Sequence, residues 1–337
     1  MSTYRAYQVT GQHRFELVDR EAVPPSAGHV RFRAHTCGVC HSDMLGVEGM
    51  RDNPGRPIVP GHEVVGVIDA VGDGVTAWQV GDRVGLGFLG GHCGECEWCR
   101  RGDFVNCENQ PQPGTTEDGG YAEVVYARAS GLVRIPDSLK SRDASPLLCA
   151  GITTFNALRN LDVEPDALVA IQGIGGLGHL GVQYANKLGY RVAAIARGTE
   201  KATLATQLGA HHYIDSQAED PAAALQKLGG ARAIVATVTS GEAMAEIQGG
   251  LGVNGTLMVI GAVPSLNADT LFLLRGRRSI KGWYSGVASD SEDTLAFSQL
   301  NGVQSMKEIY PLSRAGEAYD RMMSGQARFR VVLTMEG

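Results

Sequence analysis

A chain of 337 residues exceeds the size at which a single hydrophobic core usually keeps growing, so two domains are expected. Hydrophobic residues make up 43% and charged residues 20%, with no uninterrupted apolar run of about 18 residues; this is a globular composition without a membrane span. The formal charge of −6, from 36 acidic against 30 basic residues with no long Lys/Arg run, excludes the electrostatic footprint of a nucleic-acid binder.

The opening MSTYRAYQVTGQHRFELVD holds neither an apolar signal core nor a cleavage site, which predicts a cytoplasmic protein. Seven cysteines in such a chain point to metal or catalytic roles rather than disulfides. From Met1 to about Cys149 the chain is rich in Gly and Pro, with short β-type runs such as VRFRAH (30–35) and EVVGVIDAV (63–71) between turns, which predicts a strand-rich, loop-rich domain. Within it, Cys93, Cys96, Cys99 and Cys107 form C-x2-C-x2-C-x7-C. Four thiolates in one glycine-rich loop suit a closed tetrahedral zinc site of structural role. An iron–sulfur cluster also takes four cysteines, but the run lacks the common C-x2-C-x2-C-x3-C-P spacing, so zinc is favoured. His92 is a surplus ligand beside this loop, and Trp98 is expected to pack it.

Cys40 in Cys40-His41-Ser42-Asp43, His62 in Gly61-His62-Glu63, and Cys149 make a second set. Two thiolates and an imidazole would hold zinc with a fourth position open, the mark of a catalytic rather than a structural site. Cys37 reads as a buried small apolar residue.

From about Gly151 the pattern changes to alternating apolar strands and helical stretches, which implies a parallel sheet wrapped by helices. Strands are expected near 168–172, 191–196, 212–215, 231–238, 256–263 and 279–285, a doubly wound nucleotide-binding (Rossmann) arrangement over 151–286. The run VAIQGIGGLGHLGVQYANKL (169–188) is a strand, a glycine turn and a helix. Gly173 permits the tight turn, Gly175 lets backbone approach a pyrophosphate, and Gly178 lets the helix pack close to the strand. Gly176 and Leu177 complete the anion-facing turn. After Gly286 the pattern changes again, and FRVVLTM (329–335) reads as a strand that returns to the first domain, giving 1–150 plus 287–337 for that domain.

The run GHEVVGVIDAVGDGV (61–75), the CHSD tetrad, the four-cysteine loop, DASPLLCAGITT (143–154) and GIGGLGHLGVQYA (173–185) together resemble the zinc-dependent medium-chain alcohol dehydrogenases, nearest the microbial alcohol and cinnamyl-alcohol type. The resemblance covers essentially the whole chain. It implies a GroES-like catalytic domain beside the Rossmann domain, two Zn2+ per chain, a nicotinamide coenzyme, and reversible hydride transfer between a primary alcohol and its aldehyde. It also implies a homo-oligomer, tetramer or dimer.

Carried over by position, Cys40, His62 and Cys149 match the catalytic zinc ligands, and Glu63 a carboxylate able to approach the metal during ligand exchange. Asp43 matches the acid that orients the ligating histidine, and Ser42 the hydroxyl that accepts the alcohol proton. His41 and Arg330 match basic residues near the coenzyme pyrophosphate. Cys149 lies at the expected domain junction, where cleft closure would bring metal and nicotinamide together.

Two departures stand out. Leu45 occupies the position where many relatives end their proton relay on a histidine, so release through water or His41 is expected. EGMR (48–51) replaces a stretch where relatives often carry a pocket tryptophan, leaving Met50 either as an adaptable pocket wall or as a solvent-facing loop residue. Aligning RVAAIARGTEK (191–201) on its EK pair puts Ala196 where NAD-using relatives have Asp, with Arg197 next. The missing carboxylate and the added guanidinium favour NADP over NAD, with Lys201 counted among the coenzyme contacts. The competing readings are a zinc-free quinone oxidoreductase of the same fold, which normally lacks the ligand cysteines, and a dinucleotide-binding redox sensor, which would need no open Lewis-acid position.

Overall fold

The computed structural model describes residues 2–50 and 55–335. They form two compact units, Met1–Ile152 with Ser285–Gly337, and Thr153–Tyr284.

The strands of the first unit before the interruption are β1 (Thr3–Val9), β2 (Phe15–Glu21), β3 (His29–Val39), β4 (Val64–Val71), β5 (Arg83–Leu86), β6 (Val124–Arg128) and β7 (Leu132–Arg134). The second unit supplies β8 (Leu168–Gln172), β9 (Arg191–Ala196), β10 (His212–Asp215), β11 (Ala231–Ala236), β12 (Leu251–Val259) and β13 (Ser279–Gly282). The chain closes with β14 (Lys307–Pro311) and β15 (Arg330–Thr334), back in the first unit.

In the first unit, β1 and β2 form an antiparallel hairpin, and the larger sheet runs β14-β15-β3-β4-β5-β7 with β6 on the free part of β3. β3 alternates at its start, burying Val30, Phe32 and Ala34 while Arg33 and His35 face out, as a half-covered strand does. From Thr36 to Val39 every residue is buried. β4 likewise begins fully buried at Val64 and opens toward Val71. Both strands therefore bring their covered ends to one place, the stretch between Val39 and Val64 where Cys40 and His62 sit. The closing strand pairs antiparallel with β3, Val331 opposite Val39, as its apolar run and the lack of a following helix predict. The core behind it gathers Phe32, Ile58, Ile68, Leu86, Tyr121 and Tyr319.

In the second unit all six strands are parallel, in the order β10-β9-β8-β11-β12-β13. Counted from β8 this is 3-2-1-4-5-6, the doubly wound nucleotide-binding order. β8 is buried at all five positions, because helices cover both faces of such a sheet. Three strands differ from their expected bounds, β13 by ending at Gly282 rather than near 285. β11 stops at Ala236, since Thr237 turns its hydroxyl back onto the carbonyls of Gln172 (2.9 Å) and Gly173 (3.2 Å). β12 begins at Leu251 rather than 256. Asn254, at φ 57°, and Gly255 read as a turn, but the sheet absorbs them as an irregularity, with a register shift against β11 between Ala231 and Ala233. Among the described residues no helix is long and apolar enough to cross a membrane.

Candidate metal and coenzyme sites

Cys40 follows β3, His62 and Glu63 precede β4, and Cys149 follows the short 3-10 turn Ser145–Leu148; all four are buried. One ligand atom from each lies within 4.8 Å of the others, and the Cys40 and Cys149 sulfurs are 3.7 Å apart. Two sulfurs each about 2.3 Å from one tetrahedral zinc would be separated by roughly 3.8 Å, so this spacing fits a shared ion and is far too long for a disulfide. The imidazole is oriented for the same task. His62 Nδ1 sits 2.9 Å from Asp43 Oδ1, while Nε2 is buried without a hydrogen-bond partner among the described residues. A carboxylate on Nδ1 fixes the tautomer whose Nε2 lone pair can ligate. Asp43 is held in turn by the Cys40 backbone N–H and the Tyr121 hydroxyl, both donating to Oδ2 at 2.9 Å.

The electrostatics match a cationic occupant. The Cys40 thiol is held well below its ordinary value, chiefly by the hydrogen bond it shares with Cys149, and the Cys149 thiol is pushed correspondingly up. Burial raises the Glu63 carboxyl to about 8, against the pull of Arg330. Arg330, at the start of β15, is only 4% exposed and donates from Nη2 to Glu63 Oε1. Among the described residues, Glu63 Oε2 and Arg330 Nε have no hydrogen-bond partner. Burial holds the Tyr121 phenol well above its usual range, with Asp43 adding to the rise, so it is a standing donor.

The second cluster closes on itself. Cys93, Cys96, Cys99 and Cys107 each offer a sulfur within 4.8 Å of the others, with Cys93 3.9 Å from Cys99 and 3.7 Å from Cys107. An iron–sulfur cluster would spread its four cysteines over separate irons, whereas these spacings leave room for one ion. Backbone N–H groups of Glu95 and Cys96 point at the Cys93 sulfur and bring it down to about 6. His92 is not among the ligands: its ring stacks on Phe104 at 4.0 Å. Trp98, expected to pack the loop, is 41% exposed; its carbonyl secures the turn by accepting from Arg101 and Asp103 N–H.

In the second unit Gly173 follows β8 at φ 92°, and a Cβ on Gly178 would overlap the Gly173 carbonyl, so the helix Gly178–Lys187 starts in close contact with the turn. Gly175 has open space where its side chain would be. Gly176 and Leu177 are half-buried beside it, with the carbonyl of Leu177 already accepting helical N–H groups. Ala196 ends β9 next to the turn, and Gly173 N–H donates to the Ile195 carbonyl at 2.8 Å. Arg197 is exposed; Lys201 Nζ donates to the Ile174 carbonyl at 2.8 Å, tying the 197–201 loop to the glycine turn. Asp215 Oδ1 accepts from Gly198 N–H at 2.7 Å, and Tyr213 donates to the Gly198 carbonyl.

Several other expectations have places. His41 and Ser42 lie on the 3-10 turn His41–Asp43, His41 exposed and Ser42 half-buried, with Leu45 one turn on in the helix Met44–Val47. Cys37 is fully buried and donates weakly to the Gly38 carbonyl. Met50 is 61% exposed, on the solvent-facing side of its two readings, and Arg51 lies outside the described residues. Sequence reasoning missed Thr237, Asp215 and Tyr121. The paired glycines before Tyr121, in Gly119-Gly120-Tyr121, were the available signal for a close backbone approach.

A doubly wound unit of nucleotide-binding order and a β-rich unit holding two thiol clusters together define a zinc-type dehydrogenase architecture. Comparison with known proteins agrees. Residues 26–137 match the model of the alcohol dehydrogenase GroES-like domain, and residues 176–299 that of the zinc-binding dehydrogenase. Alcohol dehydrogenase patD of Penicillium expansum is 46% identical over 92% of this chain and 91% of its own. Among solved structures, a cinnamyl alcohol dehydrogenase of Sorghum bicolor superposes with a TM-score of 0.89 at 28% identity, covering 100% of this chain and 98% of that one. An acetophenone reductase of Geotrichum candidum, solved in complex with NAD, gives 0.87 at 26%, covering 99% and 98%. The chain belongs to the zinc-type alcohol dehydrogenase family, and it is an oxidoreductase that uses zinc and a nicotinamide coenzyme.

Proposed function

We propose that this enzyme interconverts primary aliphatic or aromatic alcohols and their aldehydes with NADP in preference to NAD, through one zinc at Cys40, His62 and Cys149 and a second at Cys93, Cys96, Cys99 and Cys107. The carrying observation is the buried convergence of two thiols and a carboxylate-oriented imidazole beside the Ser42 turn. Bound zinc supplies Lewis-acid polarisation of the substrate oxygen, and the coenzyme the hydride chemistry. The chain does the rest. Asp43 fixes the imidazole, Glu63 offers an exchange carboxylate balanced by Arg330, and the Ser42 hydroxyl takes the substrate proton. Leu45 interrupts the relay found in relatives, so His41, exposed on the same turn, passes that proton to solvent; an unchanged pH–rate profile in His41→Ala would remove it from this role.

The coenzyme preference rests on Ala196, which offers no carboxylate to repel a 2′-phosphate, and on the exposed Arg197, able to bind one bidentately. Asp215, the register partner of Ala196 on β10, already accepts from the N–H groups of Gly198 and Gln217. Gly173, Gly175, Gly176, Leu177, Gly178 and Lys201 would hold the pyrophosphate turn. Arg330 would serve it as well if released from Glu63. We further propose a cytoplasmic homo-oligomer, supported by the edge strand β13 and the exposed Leu271 and Leu274 on the helix Thr270–Gly276 that precedes it.

The test combines metal analysis with kcat/KM for NADP and NAD over a panel of alcohols and aldehydes. Two zincs per chain, falling to one in Cys40→Ser with activity lost by more than about a thousandfold, is the expected result. Full activity in that variant would reject the centre; a clear preference for NAD would reject the coenzyme assignment alone.

A further inference from the structure

The orientation of His62 depends on a residue two steps from the metal cluster. Asp43 has two oxygens with divided duties: Oδ1 faces His62 Nδ1 at 2.9 Å, and Oδ2 accepts from the Cys40 N–H and from the Tyr121 hydroxyl, each at 2.9 Å. All four groups are buried. Without the two donors on Oδ2 the carboxylate could rotate about its terminal bond, because such sp2 torsions are broad; with them, Oδ1 is reserved for the imidazole. One of the donors is backbone. The other is a side chain, 78 residues along the sequence from Asp43.

Tyr121 also holds the backbone that carries His62. Its own N–H donates to the Pro60 carbonyl at 2.9 Å, and the preceding Gly120 N–H donates to Gly61 at 3.0 Å. Its ring lies where a side chain on Gly61 would go, and Gly61 has φ 101°. The segment therefore approaches as closely as a glycine allows, and the phenol reaches Asp43.

We infer that Tyr121 is a positioning residue of the Cys40–His62–Cys149 centre, setting through Asp43 the direction and hold of the His62 ligand. The inference rests on the zinc reading given above. Partners in the shell around metal ligands commonly govern affinity by 10- to 100-fold; one step further out, removal of the hydroxyl is expected to speed zinc loss by roughly 3- to 10-fold.

The experiment uses zinc-loaded full-length protein and follows zinc transfer to a chromogenic chelator, with the four-cysteine zinc as an internal reference on the same chain. In Tyr121→Phe the faster release is expected at the Cys40–His62–Cys149 centre only. Its cobalt-substituted form should show shifted d–d bands, and kcat should fall while KM for the coenzyme holds. In an Asp43→Asn background the added Tyr121→Phe change should have little further effect, since the hydroxyl acts through that carboxylate. Release unchanged in the single variant, or sped equally in both backgrounds, overturns the inference. Should the Phe variant fail to fold by its melting midpoint, Tyr121→His keeps a ring donor, and fast release from that folded variant overturns it equally. A parent protein carrying only the four-cysteine zinc would instead defeat the centre itself, an outcome visible before any variant is made.

Discussion

Arg330 and Glu63 form a buried pair whose two halves come from opposite ends of the first unit, and neither is intelligible alone. Arg330 keeps its charge, so removing Glu63 leaves it buried and uncompensated at a cost of about 3–5 kcal/mol, whereas Glu63, raised to about 8 by burial, takes up a proton if Arg330 is removed, and replacing both with neutral groups can cost little. Glu63→Gln should therefore lower the melting midpoint markedly. Adding Arg330→Met should recover most of that loss, as read by thermal unfolding; a double variant no more stable than the single one would contradict the pairing. At this scale the sequence spoke unevenly. The grouping of six cysteines and His62 was legible because candidate metal ligands come in few types and characteristic spacings. The pairing of Arg330 with Glu63 was not legible, because nothing in FRVVLTM says which way a guanidinium turns and the partner lies 267 residues away. Tyr121 was silent for the same reason, being an ordinary aromatic until the fold sets its hydroxyl against Asp43.

The elements carry their own tests. The helix Gly178–Lys187 begins against the Gly173 carbonyl, so a methyl group in Gly178→Ala must push the turn away from β8. Overpacking of this kind costs about 1–3 kcal/mol. Coenzyme Kd by calorimetry should rise at least about tenfold, and an unchanged Kd would mean that the turn does not bind the dinucleotide. A different helix pair is clamped by His13, whose Nδ1 faces Glu48 at 3.1 Å, at the end of the helix Met44–Val47, and whose Nε2 faces Asp320 at 2.8 Å on the helix Ala315–Met323. Its pKa is raised, first by the Glu48 bond and then, against some burial, by the charge of Asp320. A raised folded value means stability that is fully present below the unfolded value near 6.5 and lost as pH climbs through the folded one. With the side chain 48% exposed, solvent screening limits the contribution to less than about 1 kcal/mol. The melting difference between parent and His13→Gln should thus be larger near pH 5.5 than near pH 9; the opposite trend would discard the clamp. Element types were readable from periodicity, and β8, β9 and β10 fall on their expected bounds. β12 did not, because Asn254 and Gly255 are turn residues by propensity and the neighbouring strand β11 overrides them.

For the molecule as a whole, the parallel sheet ends on β13, whose outer side has no strand partner among the described residues. Leu274, 75% exposed on the helix before it, adds apolar surface to that edge. If a second copy covers this edge, Leu274→Glu should shift the sedimenting species toward the monomer without altering the fold of the protomer. An unchanged mass would place any assembly elsewhere. The two-unit plan was visible in the change of pattern near residue 151 and its reversal after 286, since a parallel sheet writes alternating apolar strands and helices while an antiparallel one writes short runs and turns. The register that joins β15 to β3 was not, because pairing across the whole length of a chain leaves no local trace.

That long-range pairing has a bearing on biosynthesis. Residues 153–284 are contiguous, so a growing polypeptide exposes everything this unit requires before the other unit is complete, although the other begins first. The second unit can thus complete its fold before the first, against the usual amino-to-carboxyl order. Glu63 is made 267 residues before the arginine it faces.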